Sequence, residues 1–218
     1  MALVDDDPLV RMGLRAMLDG VYGIRIVAEA ADGSEVPAML DAHRPQVVLM
    51  DLRMKTVDGI TATERLRDRR DAPAVIVLTT FDDQDLVTKA IRAGAIGYLL
   101  KHAPPEDIVR AVRSAHSGGS VLSPEVARRL IDTVAANPGH DTDQRAARER
   151  LRFLSARESQ VATAVADGKS NAEIAAGLHL TVPTVKGYIS TILTKTATQN
   201  RVQLALLVQT ASRGAGPR

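Results

Sequence analysis

Five short apolar runs, about Ala2–Val4, Ile24–Ala30, Val47–Met50, Ala74–Leu78 and Ile96–Leu100, alternate with amphipathic segments before residue 117. The intervening segments carry apolar residues at helical spacing: Leu9, Met12, Leu14, Met17 and Leu18; Val36, Met39 and Leu40; Ile60, Thr63 and Leu66; Leu86, Val87, Ala90 and Ile91. A fifth such segment, with Ile108, Val109 and Val112, follows Pro104-Pro105, which suit a helix entry. Five β/α units with right-handed crossovers predict an α/β domain built on a doubly wound parallel sheet.

The third run, Val47-Val48-Leu49-Met50-Asp51, places a carboxylate at the carboxyl end of a strand that is apolar throughout, as a strand buried on both faces must be. Ligands of open α/β sheets are handled at that edge. The first run ends similarly, in Asp5-Asp6-Asp7, the fourth in Thr79-Thr80, and the fifth in Lys101. If the first and third strands are neighbours, Asp5, Asp6 and Asp51 share a crevice. Carboxylates that close do not all stay ionised without a cation, and a hard divalent ion such as Mg²⁺ suits an all-oxygen set.

These residues, as Val4-Asp5-Asp6-Asp7-Pro8, Val48-Leu49-Met50-Asp51, Asp58-Gly59, Leu78-Thr79-Thr80 and Gly97-Tyr98-Leu99-Leu100-Lys101, resemble the receiver domain of bacterial two-component response regulators. The resemblance spans 1–117 and implies a flavodoxin-like strand order 2-1-3-4-5. It further implies that Asp51 is the phosphoacceptor, phosphorylated by a sensor histidine kinase. Asp6 would bind Mg²⁺ directly, Asp5 would be an outer-shell acid, and the Arg53 carbonyl a further ligand. Thr79 and Lys101 would hold the phosphoryl oxygens, and Tyr98 would change rotamer on activation. Phe81 would flank the phosphoryl position together with Arg53. One departure is Lys55, where receivers commonly place Pro. The DxD of Asp5 and Asp7 also fits haloacid-dehalogenase-type phosphatases, with Asp5 as nucleophile and Asp7 as acid/base, but that reading leaves Asp51 without a role.

Composition separates the rest of the chain from this half. Residues 151–218 hold eight Lys/Arg against three acids, a balance suited to a polyanion. The chain has 2 Phe, 3 Tyr and no Trp, so stacking on bases is an unfavoured binding mode. With no Cys there is no disulfide framework or thiolate metal site. No apolar run approaches the roughly 18 residues of a membrane span, and no charged-then-apolar leader opens the sequence. The expectation is a cytoplasmic protein without membrane contact.

Residues 118–150 are expected to be a linker. Ser117-Gly118-Gly119-Ser120 and Asn137-Pro138-Gly139-His140 break it, a helix starts at Ser123-Pro124 and runs through Val126, Leu130 and Ile131, and a highly charged stretch runs from Asp141 to Arg150. A helical domain over 151–212 follows, then a tail, 213–218. Ser155-Ala156-Arg157-Glu158 and Ser170-Asn171-Ala172-Glu173 are capping boxes, with Gly168 closing the first helix. Gly177 is expected to end the second, and Thr181 to cap a third with Pro183 in its first turn. Two helices joined by a tight turn are a helix-turn-helix.

In the third helix Val182, Val185, Ile189 and Ile192 form an apolar face. Thr181, Thr184, Lys186, Gly187, Ser190, Thr191 and Lys195 lie at its start, flanks and opposite side, a polar, cationic surface suited to a DNA major groove. The run from Leu154 to Thr210, including Gly168-Lys169-Ser170-Asn171-Ala172-Glu173-Ile174-Ala175, Thr184-Val185-Lys186 and Asn200-Arg201-Val202-Gln203, resembles the LuxR-type helix-turn-helix. A receiver followed by this module is the NarL/FixJ class of response regulator. That class implies a transcription regulator of double-stranded DNA rather than an enzyme, and a homodimer when phosphorylated. Phosphorylation would control either dimerisation or exposure of the DNA-binding helix.

Overall fold

The computed structural model describes residues 1–66, 69, 71–80, 84–119, 121–122 and 140–212. Phe81, the helix expected from Ser123-Pro124, the Asn137-Pro138-Gly139 break and the 213–218 tail lie outside the described residues. The chain divides into two units, the first Met1–His116 with the strand at Val121–Leu122, the second including 140–212.

The first unit holds strands β1 (Ala2–Val4), β2 (Ala28–Ala30), β3 (Val47–Met50), β4 (Ala74–Thr79), β5 (Gly97–Leu100) and β6 (Val121–Leu122), all pairing in parallel in the order β2-β1-β3-β4-β5-β6. The expected five-strand order is present, with a sixth strand added: the two-residue β6 pairs with the outer edge of β5, inside what the sequence reads as linker. Strand β2 is also shorter than its apolar run. Ile24 and Ile26 are buried, but Val21–Gly23 is a 3₁₀ turn and the ladder with β1 starts only at Ala28.

Helices cover both faces of the sheet, which is why the strands read as unbroken apolar runs. Alternation sends Leu3, Leu49, Ile76 and Leu78 to one face, against Leu14 and Leu18 of α1 (Pro8–Leu18) and Ile108 and Val112 of α5 (Pro105–His116). Ala2, Val4, Val48 and Met50 take the other face, with Met39 and Leu40 of α2 (Val36–His43) and Ala62 and Leu66 of α3 (Gly59–Leu66). Helix α4 spans Gln84–Ala93.

The second unit is all helical: α6 (His140–Leu151), α7 (Ala156–Ala166), α8 (Asn171–Leu178), α9 (Val182–Lys195) and α10 (Arg201–Ser212). Helix α6 is the charged stretch, and it joins this unit ahead of residue 151, where the sequence reading starts the domain. Its Ala147 is buried, and its Arg148 and Arg150 donate to the Ala211 carbonyl at 3.1 Å and the Thr196 carbonyl at 2.7 Å. Both capping boxes form, with Ser155 N–H donating to Glu158 and Ser170 N–H to Glu173, each at 2.7 Å. Gly168 closes α7 at φ +79°. Helix α8 does not stop at Gly177: it continues to Leu178, and His179 takes the left-handed cap at φ 53° while Leu180 N–H returns to the Ala175 carbonyl at 2.8 Å. Val161, Val165, Ile174, Val185, Ile192 and Leu204 fill the core between these helices.

Candidate functional site

The register of the sheet builds the acid cluster. Val4 pairs with Met50, so the residues that follow, Asp5 and Asp51, emerge side by side from neighbouring strands. Both are buried, Asp6 is half-buried, and one oxygen from each of the three lies within 4.8 Å of the others. Thr79 ends β4, fully buried. Lys101 follows β5, anchored by its N–H to the Thr79 carbonyl at 2.7 Å. Its Nζ must pass β4 to reach Asp51 at the end of β3, about two strand spacings of 4.8 Å, which only a long side chain can do. It stands 2.6 Å from Asp5 Oδ2 and 3.3 Å from Asp51 Oδ2.

One ammonium against three carboxylates leaves surplus negative charge. Burial pushes the Asp51 carboxyl up, Lys101 pulls it back, Asp5 adds to the rise, and the net shift is upward. Burial alone would depress Lys101, but the hydrogen bond it donates to Asp5 and the charges of Asp51 and Asp5 override it and raise the ammonium. The donor set is therefore all oxygen, crowded and short of positive charge. The span across an octahedral Mg²⁺ with ligands at about 2.1 Å is about 4.2 Å, so small movements of these oxygens suffice to fit one. The residues present fit that ion.

Asp7 has a different task. It is the N-cap of α1, its carboxylate accepting the Leu9 N–H at 2.8 Å, and so it is committed to the helix rather than to the acid/base role of a phosphatase. Tyr98 is fully buried. It pairs with Val77, which places it on the same face of the sheet as Thr79, one pleat behind it.

The loop from Leu52 to Asp58, which carries Arg53 and Lys55, leads from Asp51 into α3. Sequence reasoning passes over the residue that holds it, Asp32. That carboxylate accepts the N–H of Thr56 at 2.7 Å, of Val57 at 3.2 and 3.3 Å, and both the N–H and hydroxyl of Ser34 at 2.9 and 2.7 Å. These bonds, the Ser34 hydroxyl foremost, stabilise the charged form and hold the Asp32 pKa well below the usual carboxylate range. Its signal in the sequence is only an Asp before Gly33-Ser34, a turn pattern.

In the second unit, Thr184, Lys186, Gly187, Ser190 and Thr191 of α9 are all exposed, while Val185 and Ile192 point into the core. Val182, assigned to the apolar face, is 37% exposed instead. Thr181 caps the helix by accepting the Thr184 N–H at 3.3 Å, and the two hydroxyls bond each other at 2.8 Å. Lys195 is exposed as well, and its Nζ lies 2.8 Å from both oxygens of Glu158, the buried capping acid of α7. This ion pair ties the end of α9 to the start of α7.

Residues 1–113 match the family described as response regulator receiver domain, and 152–208 match bacterial regulatory proteins, luxR family. The chain is 38% identical to the transcriptional regulatory protein LiaR of Bacillus subtilis over 94% of its own length and 93% of LiaR. It is 34% identical to the response regulator protein VraR of Staphylococcus aureus, over 93% of its own length and 92% of VraR. Among solved structures, the response regulator ChrA of a heme-sensing two-component system is 36% identical, with a TM-score of 0.52, covering 98% of this chain and 95% of that one. A LuxR-family response regulator from Aurantimonas is 33% identical with a TM-score of 0.57, covering 61% of this chain and 94% of that one.

Proposed function

The chain belongs to the NarL/FixJ family of two-component response regulators, transcription regulators that join a receiver to a LuxR-type DNA-binding domain, and from that premise we propose that Asp51 is its phosphoacceptor and α9 its operator-reading helix. The observation that carries the first half is the buried junction of Asp5, Asp6 and Asp51 with Lys101 Nζ 3.3 Å from Asp51. A carboxylate is a weak nucleophile toward a phosphoryl group, and the reaction gains most from charge neutralisation and in-line positioning. In this reading an Asp51 oxygen takes the phosphoryl group from the phosphohistidine of a sensor kinase, forming an acyl phosphate as the imidazole leaves. Lys101 exchanges its Asp5 contact for a phosphoryl oxygen, and the Thr79 hydroxyl donates to another. Asp6, Asp51 and the Arg53 carbonyl would hold Mg²⁺, with Asp5 behind them, and the ion supplies neutralisation of the phosphoryl oxygens. Tyr98, buried behind Thr79, is placed to respond when that hydroxyl moves.

The second half rests on the exposed, acid-free surface of α9. Lys186 is its remaining free-standing cation once Lys195 is committed to Glu158. Thr184, Gly187, Ser190 and Thr191 flank it, and Thr181 contributes at the helix start. Lys186→Ala is expected to weaken binding to double-stranded DNA of any sequence and to lower the salt slope by about 1, as loss of one phosphate contact does. Lys195→Ala should leave that slope in place and lower the thermal stability of the helical unit. Titrations across a salt series separate the two: an unchanged slope for Lys186→Ala would place the phosphate contacts elsewhere.

The two halves are joined by phosphorylation. One small helix-turn-helix reads few bases, so useful specificity needs two copies on half-sites about one helical turn apart. Phosphorylation at Asp51, in the cytoplasm where the kinase presents its phosphohistidine, favours dimeric DNA binding. Helix α10 keeps Val202, Leu204 and Leu207 buried and leaves Ala205 and Val208 half-buried, apolar surface available to a twofold mate. Sedimentation and DNA titration of the full chain, with and without beryllofluoride as acyl-phosphate mimic, test the coupling. A rise in mass or in affinity is expected, and no change in either would sink it. No helix among the described residues is long and apolar enough to cross a membrane.

A further inference from the structure

From the bonds that converge on Asp32 we infer that this residue positions the Mg²⁺-binding loop, fixing the main chain that offers the Arg53 carbonyl; the inference rests on the phosphoacceptor reading above. The loop from Leu52 to Asp58 has its ends secured locally. Leu52 N–H donates to Asp51 Oδ1 at 2.9 Å, and Gly59 N–H to the Leu52 carbonyl at 3.0 Å. Its far side, Thr56 and Val57, is bound instead to the turn after β2, and Asp32 supplies most of that attachment.

The chemistry suits a clamp. One carboxylate receives the Thr56 and Val57 N–H groups together with Ser34, all neutral donors, so hydrogen bonds gather on its charge from both loops. Gly33 completes the joint: its N–H donates to the Val57 carbonyl at 3.1 Å, and a Cβ on Gly33 would stand 2.5 Å from that same oxygen. The two loops therefore meet backbone to backbone, with Asp32 as the side chain between them. Asp32 lies outside the acid cluster and touches no reacting atom; its effect passes through Thr56 and Val57 to the strand of loop that includes Arg53.

Asp32→Asn keeps the shape but removes the charge and turns one acceptor into an amide that faces the Thr56 and Val57 donors. Outer-shell changes of this kind cost about 10- to 100-fold in metal affinity. Mn²⁺ binding to the full chain, followed by water-proton relaxation with Mg²⁺ competing and no phosphoryl donor present, should weaken about tenfold. Labelling by acetyl phosphate should then recover toward the wild-type rate at saturating Mg²⁺, a split that general loss of stability would not produce. Unchanged metal affinity in a folded Asp32→Asn chain overturns the inference. Should that variant not fold, amide exchange in the wild-type chain decides it: slow exchange at Thr56 and Val57 supports the clamp and fast exchange at both overturns it. Asp51→Asn keeps the two readings apart. Labelling that survives there rejects the phosphoacceptor whatever Asp32 does, whereas lost labelling there with wild-type metal affinity in Asp32→Asn rejects the clamp alone.

Discussion

Asp51→Ala is expected to reduce Mg²⁺-dependent labelling by acetyl phosphate or phosphoramidate to background. Deleting a nucleophile costs on the order of 10³-fold or more, and no neighbour can replace it without rearrangement. Asp5 is the nearest substitute, and its Oδ2 is held by Lys101 at 2.6 Å while its Oδ1 accepts the Asp7 N–H at 3.0 Å. Asp6 is more exposed and ends no buried strand. The ion site points the same way: removing Asp51 takes one of the three clustered carboxylates that could hold the cation, so that site weakens as the nucleophile disappears. Mass spectrometry of the labelled wild-type chain should place the phosphoryl group on the peptide containing Asp51. Label retained by the variant at the wild-type rate, or found on Asp5, would move the chemistry to the first strand.

What could be read in the sequence follows from the period of the structure. Strands buried on both faces must be apolar at successive positions, so Val47–Met50 and Ala74–Leu78 announce themselves, and a polar residue ending such a run can only stand at the sheet edge. Asp51, Thr79 and Lys101 were legible for that reason, as were Ser155 and Ser170, whose capping partners lie three residues on. Contacts between distant segments leave no such mark. Asp32 meets backbone amides 24 and 25 residues away, and a backbone amide has no residue type to recognise. Lys195 looks like any exposed lysine until Glu158, 37 positions earlier, is brought beside it. The charge density of α6 suits both a solvated linker and a helix, and the choice depends on the Thr196 and Ala211 carbonyls that its arginines reach. Val121–Leu122 is too short to register as a strand by pattern and is one only because the edge of β5 is open to it.

Gly59 is the same lesson in reverse, a residue visible in the Asp58-Gly59 motif whose reason appears only in three dimensions. It opens α3, is buried, and donates its N–H to the Leu52 carbonyl at 3.0 Å. A Cβ there would stand 1.9 Å from the Asp51 carbonyl oxygen, 2.9 Å from its carbon and 3.0 Å from Met50 Cγ. The first two are main-chain atoms of the strand end itself and cannot swing aside, so Gly59→Ala must displace either α3 or the end of β3 that carries the phosphoacceptor. Overpacking of this kind costs about 3 kcal/mol, which corresponds to a fall on the order of 10 °C in the melting temperature of a domain of this size. The loss should fall on the receiver transition and spare the helical unit, whose core cluster is built from its own helices. Gly187→Ala is the control: nothing lies within 4 Å of its Cβ position, so the receiver transition should stay in place. Labelling of Gly59→Ala, measured below its melting point, should fall with it, because the displaced carbonyl belongs to Asp51. If the receiver transition of Gly59→Ala matches the wild type, α3 can move off the sheet at no cost, and the close packing of Gly59 on the phosphoacceptor is not what fixes Asp51 in place.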